Sequence, residues 1–173
     1  NSNPVDMRKA ALVILLAAVC IMLSNGCKTS GFAARSAKHA SQQKYFPDEF
    51  KNLWFGMSIS DFRKATKVKL TPEPALMSFR IEYVQNEFDN PELKEVTYYF
   101  DDDGENPLYE MIIEYHSASQ RDRVAASVLG PPNEGEEWKF DSGEGFDLRA
   151  WQFRNKLVII GVLPGTEWEE EYQ

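Results

Sequence analysis

The chain has 173 residues, of which 43% are hydrophobic, 13% aromatic and 27% charged, a globular profile and not a disordered one. Its net charge is −8; setting aside Asp6, Arg8 and Lys9, which precede Cys27, the 27 acidic and 19 basic residues fall to 26 and 17. So acidic a body argues against a nucleic-acid partner, which needs a basic face to displace counterions.

At the amino terminus, Met7 reads as a start, with 1–6 as upstream sequence. Arg8 and Lys9 form a positive region ahead of the apolar run Ala10–Leu23. That run has signal-peptide length, below the roughly 20 residues that span a bilayer. Ser24, Asn25 and Gly26 lead into Cys27. The segment resembles a bacterial lipoprotein signal, in which a small residue precedes a cysteine that is diacylated and becomes the new amino terminus. Gly26 fits that pattern, while Leu23 sits one place further from the cysteine than the pattern prefers. An uncleaved membrane anchor and ordinary secretion are the competing readings. Cys20 is a rival lipid site, but Val19 before it is too large. By the same resemblance Lys28, which is not the aspartate that retains lipoproteins at the inner membrane, implies an outer-membrane location facing the periplasm. The body beyond Cys27 has no further cysteine, so it has neither a disulfide nor a thiol nucleophile.

Residues 27–45 read as a lipidated cysteine and a flexible spacer, free of Asp and Glu and carrying Lys28, Arg35, Lys38 and Lys44. A basic tether suits an anionic membrane surface; an ordinary solvated linker explains it equally well. The globular domain is expected over 46–168, roughly 130 residues being enough for one compact domain. Pro47-Asp48-Glu49 opens a helix over 47–55, with Phe46, Phe50, Leu53 and Trp54 at helical spacing. Ser58 and Asp61 have capping-box spacing and predict a helix over 59–66. Thr71–Pro74 breaks the chain. Alternation then predicts strands at Ser78–Gln85, Lys94–Phe100 and Leu108–Tyr115, the last with Tyr109, Met111, Ile113 and Tyr115 on one face and Glu110 and Glu114 on the other. A helix over Ser119–Leu129, capped by Ser119 and stopped by Gly130-Pro131-Pro132, leads to strands at Glu137–Asp141, Gly145–Phe153 and Lys156–Leu163. Residues 169–173 read as an acidic tail.

The order α-α-β-β-β-α-β-β-β predicts an α+β fold, with helices packed on one face of antiparallel sheet. It also fits a weak internal duplication, 46–116 and 117–168, with a period of roughly 60 residues. Phe55-Gly56-Met57-Ser58, with Phe62 in the following helix, resembles the opening of the small outer-membrane assembly lipoproteins and of the β-lactamase-inhibitor-like fold. There the helix closes with Leu-Gly-x-Pro before an antiparallel sheet. Here that closure stands in the second unit, as Leu129-Gly130-Pro131-Pro132, whereas the first unit has Lys67-Val68-Lys69. The resemblance covers a few residues in each unit and the element order over 47–163. It implies a non-catalytic, protein-binding fold whose sheet face away from the helices meets a partner.

Catalytic and metal motifs are sparse. His116 is the body's one histidine, with His39 in the spacer, and no HExxH, GxSxG, GxGxxG or phosphate loop occurs. Asp101-Asp102-Asp103-Gly104-Glu105-Asn106 is the one metal-like cluster, a weak calcium candidate through Asp101, Asp103 and Glu105 that a charged turn explains more simply. Glu110 and Glu114 stand about 13 Å apart along a strand, too far for a glycosidase pair. The leading expectation is a membrane-anchored envelope lipoprotein that is no enzyme, needs no cofactor and binds another envelope protein. Arg80, Tyr99, Arg149 and Trp151 are the candidate contact residues, being the side-chain types that most often anchor interfaces. A ligand- or calcium-binding domain centred on 101–106 and a hydrolase using His116 are the rivals.

Overall fold

The structure, a computed structural model, describes residues 31–66, 71–73, 80–102 and 104–172, the side chains of 71–73 excepted. The chain divides into two units, of which the second is His39–Gln173. Of the first unit, residues 31–38 are described, and they are helical. Among the described residues no helix is long and apolar enough to cross a membrane.

The second unit is α+β, with a seven-stranded antiparallel sheet at its centre. In chain order its helices are α1 (Ala40–Gln43), α2 (Ile59–Ala65), α3 (Ala118–Leu129) and α4 (Glu167–Tyr172), with a 3-10 turn at Asp48–Phe50. The strands are β1 (Thr71–Glu73), β2 (Arg80–Gln85), β3 (Leu93–Asp101), β4 (Leu108–Tyr115), β5 (Trp138–Asp141), β6 (Asp147–Phe153) and β7 (Lys156–Gly161). They lie side by side as β1-β2-β3-β4-β7-β6-β5. The two meanders β2-β3-β4 and β5-β6-β7 therefore meet through their last strands, each preceded in the chain by a helix.

Alternation along the strands gives the sheet two unlike faces. On the core face stand Tyr83, Val96, Tyr98, Phe100, Leu108, Met111, Ile113, Leu157, Ile159, Leu148 and Trp138, all nearly or fully buried. Phe62 of α2 meets Tyr98 and Phe100 edge-on, with ring centroids 4.7 and 5.0 Å apart. Phe55 leans on Gly161 so closely that a Cβ there would lie 2.8 Å from the phenylalanine Cβ. α3 packs over β4 and β7.

The caps explain the helix limits. Ser58 Oγ accepts from the Asp61 amide at 3.2 Å, as the capping spacing predicts. The cap of α3 is Ser117 and not Ser119: its hydroxyl accepts from the Gln120 amide at 3.3 Å, and the helix starts earlier in consequence. Gly130, with φ +73°, ends α3, and its carbonyl accepts from Trp138 Nε1 at 3.0 Å.

Several expectations are corrected. The predicted helix over 47–55 shrinks to the 3-10 turn Asp48–Phe50. Its backbone groups are used elsewhere. Phe55 N donates to the buried Gln42 side chain at 2.8 Å, and Gln42 Nε2 donates back to Phe55 O at 3.3 Å. Gly56, with φ +85°, then turns the chain so that its amide donates to Leu108 O, while Leu108 N donates to Met57 O, both at 2.8 Å. The expected spacer is helical over 31–38 and in α1, and it carries Gln42 into the core. Thr71–Glu73 pairs with β2 where a chain break was expected; Pro72 is tolerated because β1 is an edge strand. The first residues of the predicted strand Ser78–Gln85, Ser78 and Phe79, lie outside the described residues, as does the Lys67-Val68-Lys69 segment. A bulge changes the reading of β4. Tyr99 pairs with Glu110 but Phe100 with Leu108, which leaves Tyr109 without a partner on β3 and swings it to the face opposite Leu108 and Met111. Finally, residues 169–172 of the expected acidic tail belong to α4, which lies on the face away from α2 and α3.

Candidate functional site

The face away from the core carries one continuous row of paired residues, Glu82, Tyr99, Glu110, Ile160, Arg149 and Lys139, running across β2, β3, β4, β7, β6 and β5. Arg80 and Trp151 lie two residues along from Glu82 and Arg149, hence on the same face. All four predicted contact residues, Arg80, Tyr99, Arg149 and Trp151, are therefore brought to one surface. They do not stand open to solvent there. Arg149 is buried, Tyr99 nearly so, and Arg80 and Trp151 are half-buried.

The cover is α4. Trp168 meets Trp151 edge-on, with centroids 5.5 Å apart, and its Nε1 donates to Glu110 Oε2 at 3.2 Å. Four residues on, one helical turn away, the Tyr172 ring lies 4.5 Å from the Arg149 guanidinium. Glu167 Oε1 accepts from the Tyr109 hydroxyl at 3.1 Å and lies 3.6 Å from Arg80 Nη1. Arg80 in turn sits 4.1 Å over the Tyr99 ring. At the far end, Arg149 Nη1 pairs with Glu134 at 2.9 Å, while its buried Nε has no hydrogen-bond partner among the described residues.

Burial governs the electrostatics. Glu110 is only 4% exposed, and loss of water pushes its carboxyl up to about 7, with Glu167 and Glu82 adding to the rise. Arg80 and the Trp168 hydrogen bond oppose the shift. Burial likewise raises Tyr99 to about 12 and takes Tyr109 further up. The Arg80 guanidinium, which burial alone would weaken, is held above its ordinary value by Tyr99 and Glu167. Glu114, on the same strand face but beyond the helix, behaves in the opposite way. Lys94 reaches it at 2.5 Å and Lys156 at 3.3 Å, and hydrogen bonding from Lys94 holds its carboxyl below the usual range.

The other candidates are not gathered here. His116 is exposed, and the hydroxyl of its neighbour Ser117 is engaged in capping α3. In the acidic loop, Asn106, with φ +52°, donates to the carbonyls of Asp101 and Asp102 at 3.1 and 3.2 Å, closing a turn. Asp103 lies outside the described residues, and no group of three or more His, Cys, Asp or Glu among the described residues is placed to hold a metal ion. Cys27 and the apolar run before it also lie outside the described residues. His39 stacks on Trp54 at 4.9 Å and hydrogen-bonds Glu144 at 2.6 Å, which fastens the start of this unit to the loop after β5.

Glu167, Trp168, Tyr172 and Tyr109 were not among the sequence candidates. The spacing Trp168–Tyr172 is a helical signal, outweighed by the acids around it; the Tyr109 reversal depends on a bulge that no local pattern announces. No family model matches the chain, and neither a curated protein nor a solved structure does.

Proposed function

We propose that this chain is an exported envelope lipoprotein, held to the outer membrane through Cys27 and facing the periplasm, whose body is a non-enzymatic protein-binding module. One observation supports this above the rest: Arg80, Tyr99, Arg149 and Trp151 share one sheet surface, set apart from the aromatic core on the other side. Arginine, tyrosine and tryptophan so concentrated are the usual anchors of protein interfaces. The partner is another envelope protein, and the body resembles the β-lactamase-inhibitor-like fold in this use of its sheet.

Two measurements test the proposal. Cys27→Ser abolishes labelling by a fatty-acid analogue, since only a thiol forms the thioether; unchanged labelling overturns the anchor. Affinity capture from membranes with the intact lipoprotein yields a partner that Trp151→Ala retains poorly, with little change in melting temperature. Lost stability with undiminished capture overturns the binding face.

A further inference from the structure

α4 is a weakly built cover over an unusually polar surface. It has six residues, none of them buried, and a helix this short has marginal stability of its own. Its hold comes from the tips of three side chains: Glu167 on Tyr109 and Arg80, Trp168 on Glu110 and Trp151, and Tyr172 on Arg149. Beneath it the sheet buries a carboxyl group and a guanidinium, groups that a permanent apolar cover would not favour. The Nε of Arg149, a residue 7% exposed, has no acceptor among the described residues. The connection from β7 runs through Pro164 and Gly165, the latter with φ +82°, so α4 hangs from a short turn.

We infer that the far face of the sheet is a receptor for an acidic helical segment of a partner protein carrying a tryptophan and a tyrosine four residues apart, and that α4 is the resident occupant which such a segment displaces. The chemistry of the occupant follows from that of the surface. Arg80 and Arg149 stand at opposite ends and call for a carboxylate and an aromatic ring. Glu110 between them accepts an indole N–H, and Trp151 offers an edge to a second indole. α4 meets all four requirements with Glu167, Trp168 and Tyr172. Because it is joined to the sheet, α4 acts at an effective concentration of roughly millimolar, and a free segment competes only when its fit is better or the resident is weakened. Glu110 adds a bias. The groups facing it are Trp168 and Glu167 of α4, Arg80 and Glu82 of β2, and its neighbours Tyr99 and Tyr109. Docking keeps its proton on, so α4 holds best in acid and loosens as the pH rises toward neutrality.

This inference rests on the protein-binding reading, and the experiment separates the two. A fluorescent peptide with the sequence Val162–Gln173 is titrated into the full chain, wild type and Trp168→Ala, with circular dichroism as a control for folding; Tyr172→Ala serves as a second loosened variant. The expected result is binding at least tenfold tighter to the loosened variants than to wild type, lost when the tryptophan of the peptide itself is replaced by alanine. Equal binding to wild type and variants, no binding to either variant, or indifference to the peptide's tryptophan overturns the inference. A concentration-dependent dimer of wild type that Trp168→Ala abolishes assigns the face to a second copy instead and also overturns it. Stronger capture of a membrane partner by Trp168→Ala without peptide binding keeps the protein-binding reading and sinks this identity of the segment. Peptide binding without any change in capture supports the receptor and sinks the reading that the captured envelope protein uses this face.

Discussion

The two faces of the sheet follow opposite rules. On the core face the residues under α2 and α3 are aromatic and aliphatic, with few polar atoms: the Tyr98 hydroxyl donates to Gln85 at 2.8 Å, while the buried Tyr115 hydroxyl has no hydrogen-bond partner among the described residues. On the far face a glutamate and an arginine lie buried beneath one short helix. The first arrangement maximises apolar burial, the dominant favourable contribution to folding. The second forgoes some of it and keeps charge where a charged partner would need it. One face is therefore expected to set the stability of the unit and the other its interactions.

The sharpest test of that division is Phe62→Ala. Phe62 is fully buried and touches the rings of Tyr83, Tyr98 and Phe100. Its removal is expected to cost about 3–5 kcal/mol in denaturant unfolding, whereas Trp168→Ala on the other face should cost far less. Comparable losses would erase the distinction between the faces.

Next in size is the pH response of Glu110. Its pKa in the folded chain, about 7, is raised from an ordinary value of 4.5. A raised carboxyl contributes stability that is fully present below 4.5 and is lost as the pH climbs through 7, by at most about 3 kcal/mol at 1.36 kcal/mol per unit. Melting temperature should therefore fall between pH 4.5 and 7 in wild type and stay flat there in Glu110→Gln. If α4 lifts off locally, Glu110 regains water without global unfolding. The melting temperature then changes little, and the quenching of Trp168 reports the change instead.

Gly161→Ala comes third. The added methyl would sit 2.8 Å from Phe55 Cβ and Cγ, atoms near the backbone that cannot swing aside. Overpacking of this kind costs about 1–3 kcal/mol, and unfolding in urea measures it. A neutral result would mean that the Phe55 turn is looser than its hydrogen bonds to Gln42 and Leu108 require.

How much of this was legible in the sequence depends on the range of the interactions involved. The capped helix α2, the stop at Gly130 and the strands β3 to β7 were readable, because capping and alternation are local. Strand period also puts Arg149 with Trp151 on one face, whereas joining Arg80 to Tyr99 takes the register of β2 on β3 besides. Three features were not. Phe50, Leu53 and Trp54 have helical spacing, but Gln42 and Leu108, distant in sequence, take the backbone bonds a helix would need. Tyr109 was placed with Met111 because a bulge is invisible to a period-two count. Residues 169–173 read as an acidic tail, and Glu167 and Trp168 only as the end of the domain, because the acids hide an aromatic pair, Trp168 and Tyr172, whose meaning lies in Glu110 and Arg149, far away along the chain.

The smallest expected effect isolates burial as the cause of the difference between regions. Glu110 and Glu114 share a strand, a face and a residue type, four positions apart. One lies under Trp168 and is displaced upward; the other is reached by Lys94, Lys156 and Asn155 at the margin and is displaced downward. A lowered carboxyl contributes stability that is present above its ordinary value and lost as the pH falls through its folded value, the reverse of Glu110. The lysine side chains are 54% and 37% exposed, so solvent and salt screen the interaction, and Glu114→Gln should cost about 0.2–1 kcal/mol. That cost should shrink in high salt and vanish in strong acid, while the Glu110→Gln signature between pH 4.5 and 7 persists in salt because its origin is lost hydration and not a surface ion pair. Matching pH slopes for the two variants would mean that α4 does not keep water from Glu110, and the contrast between a covered and an open region of this face would fail with it.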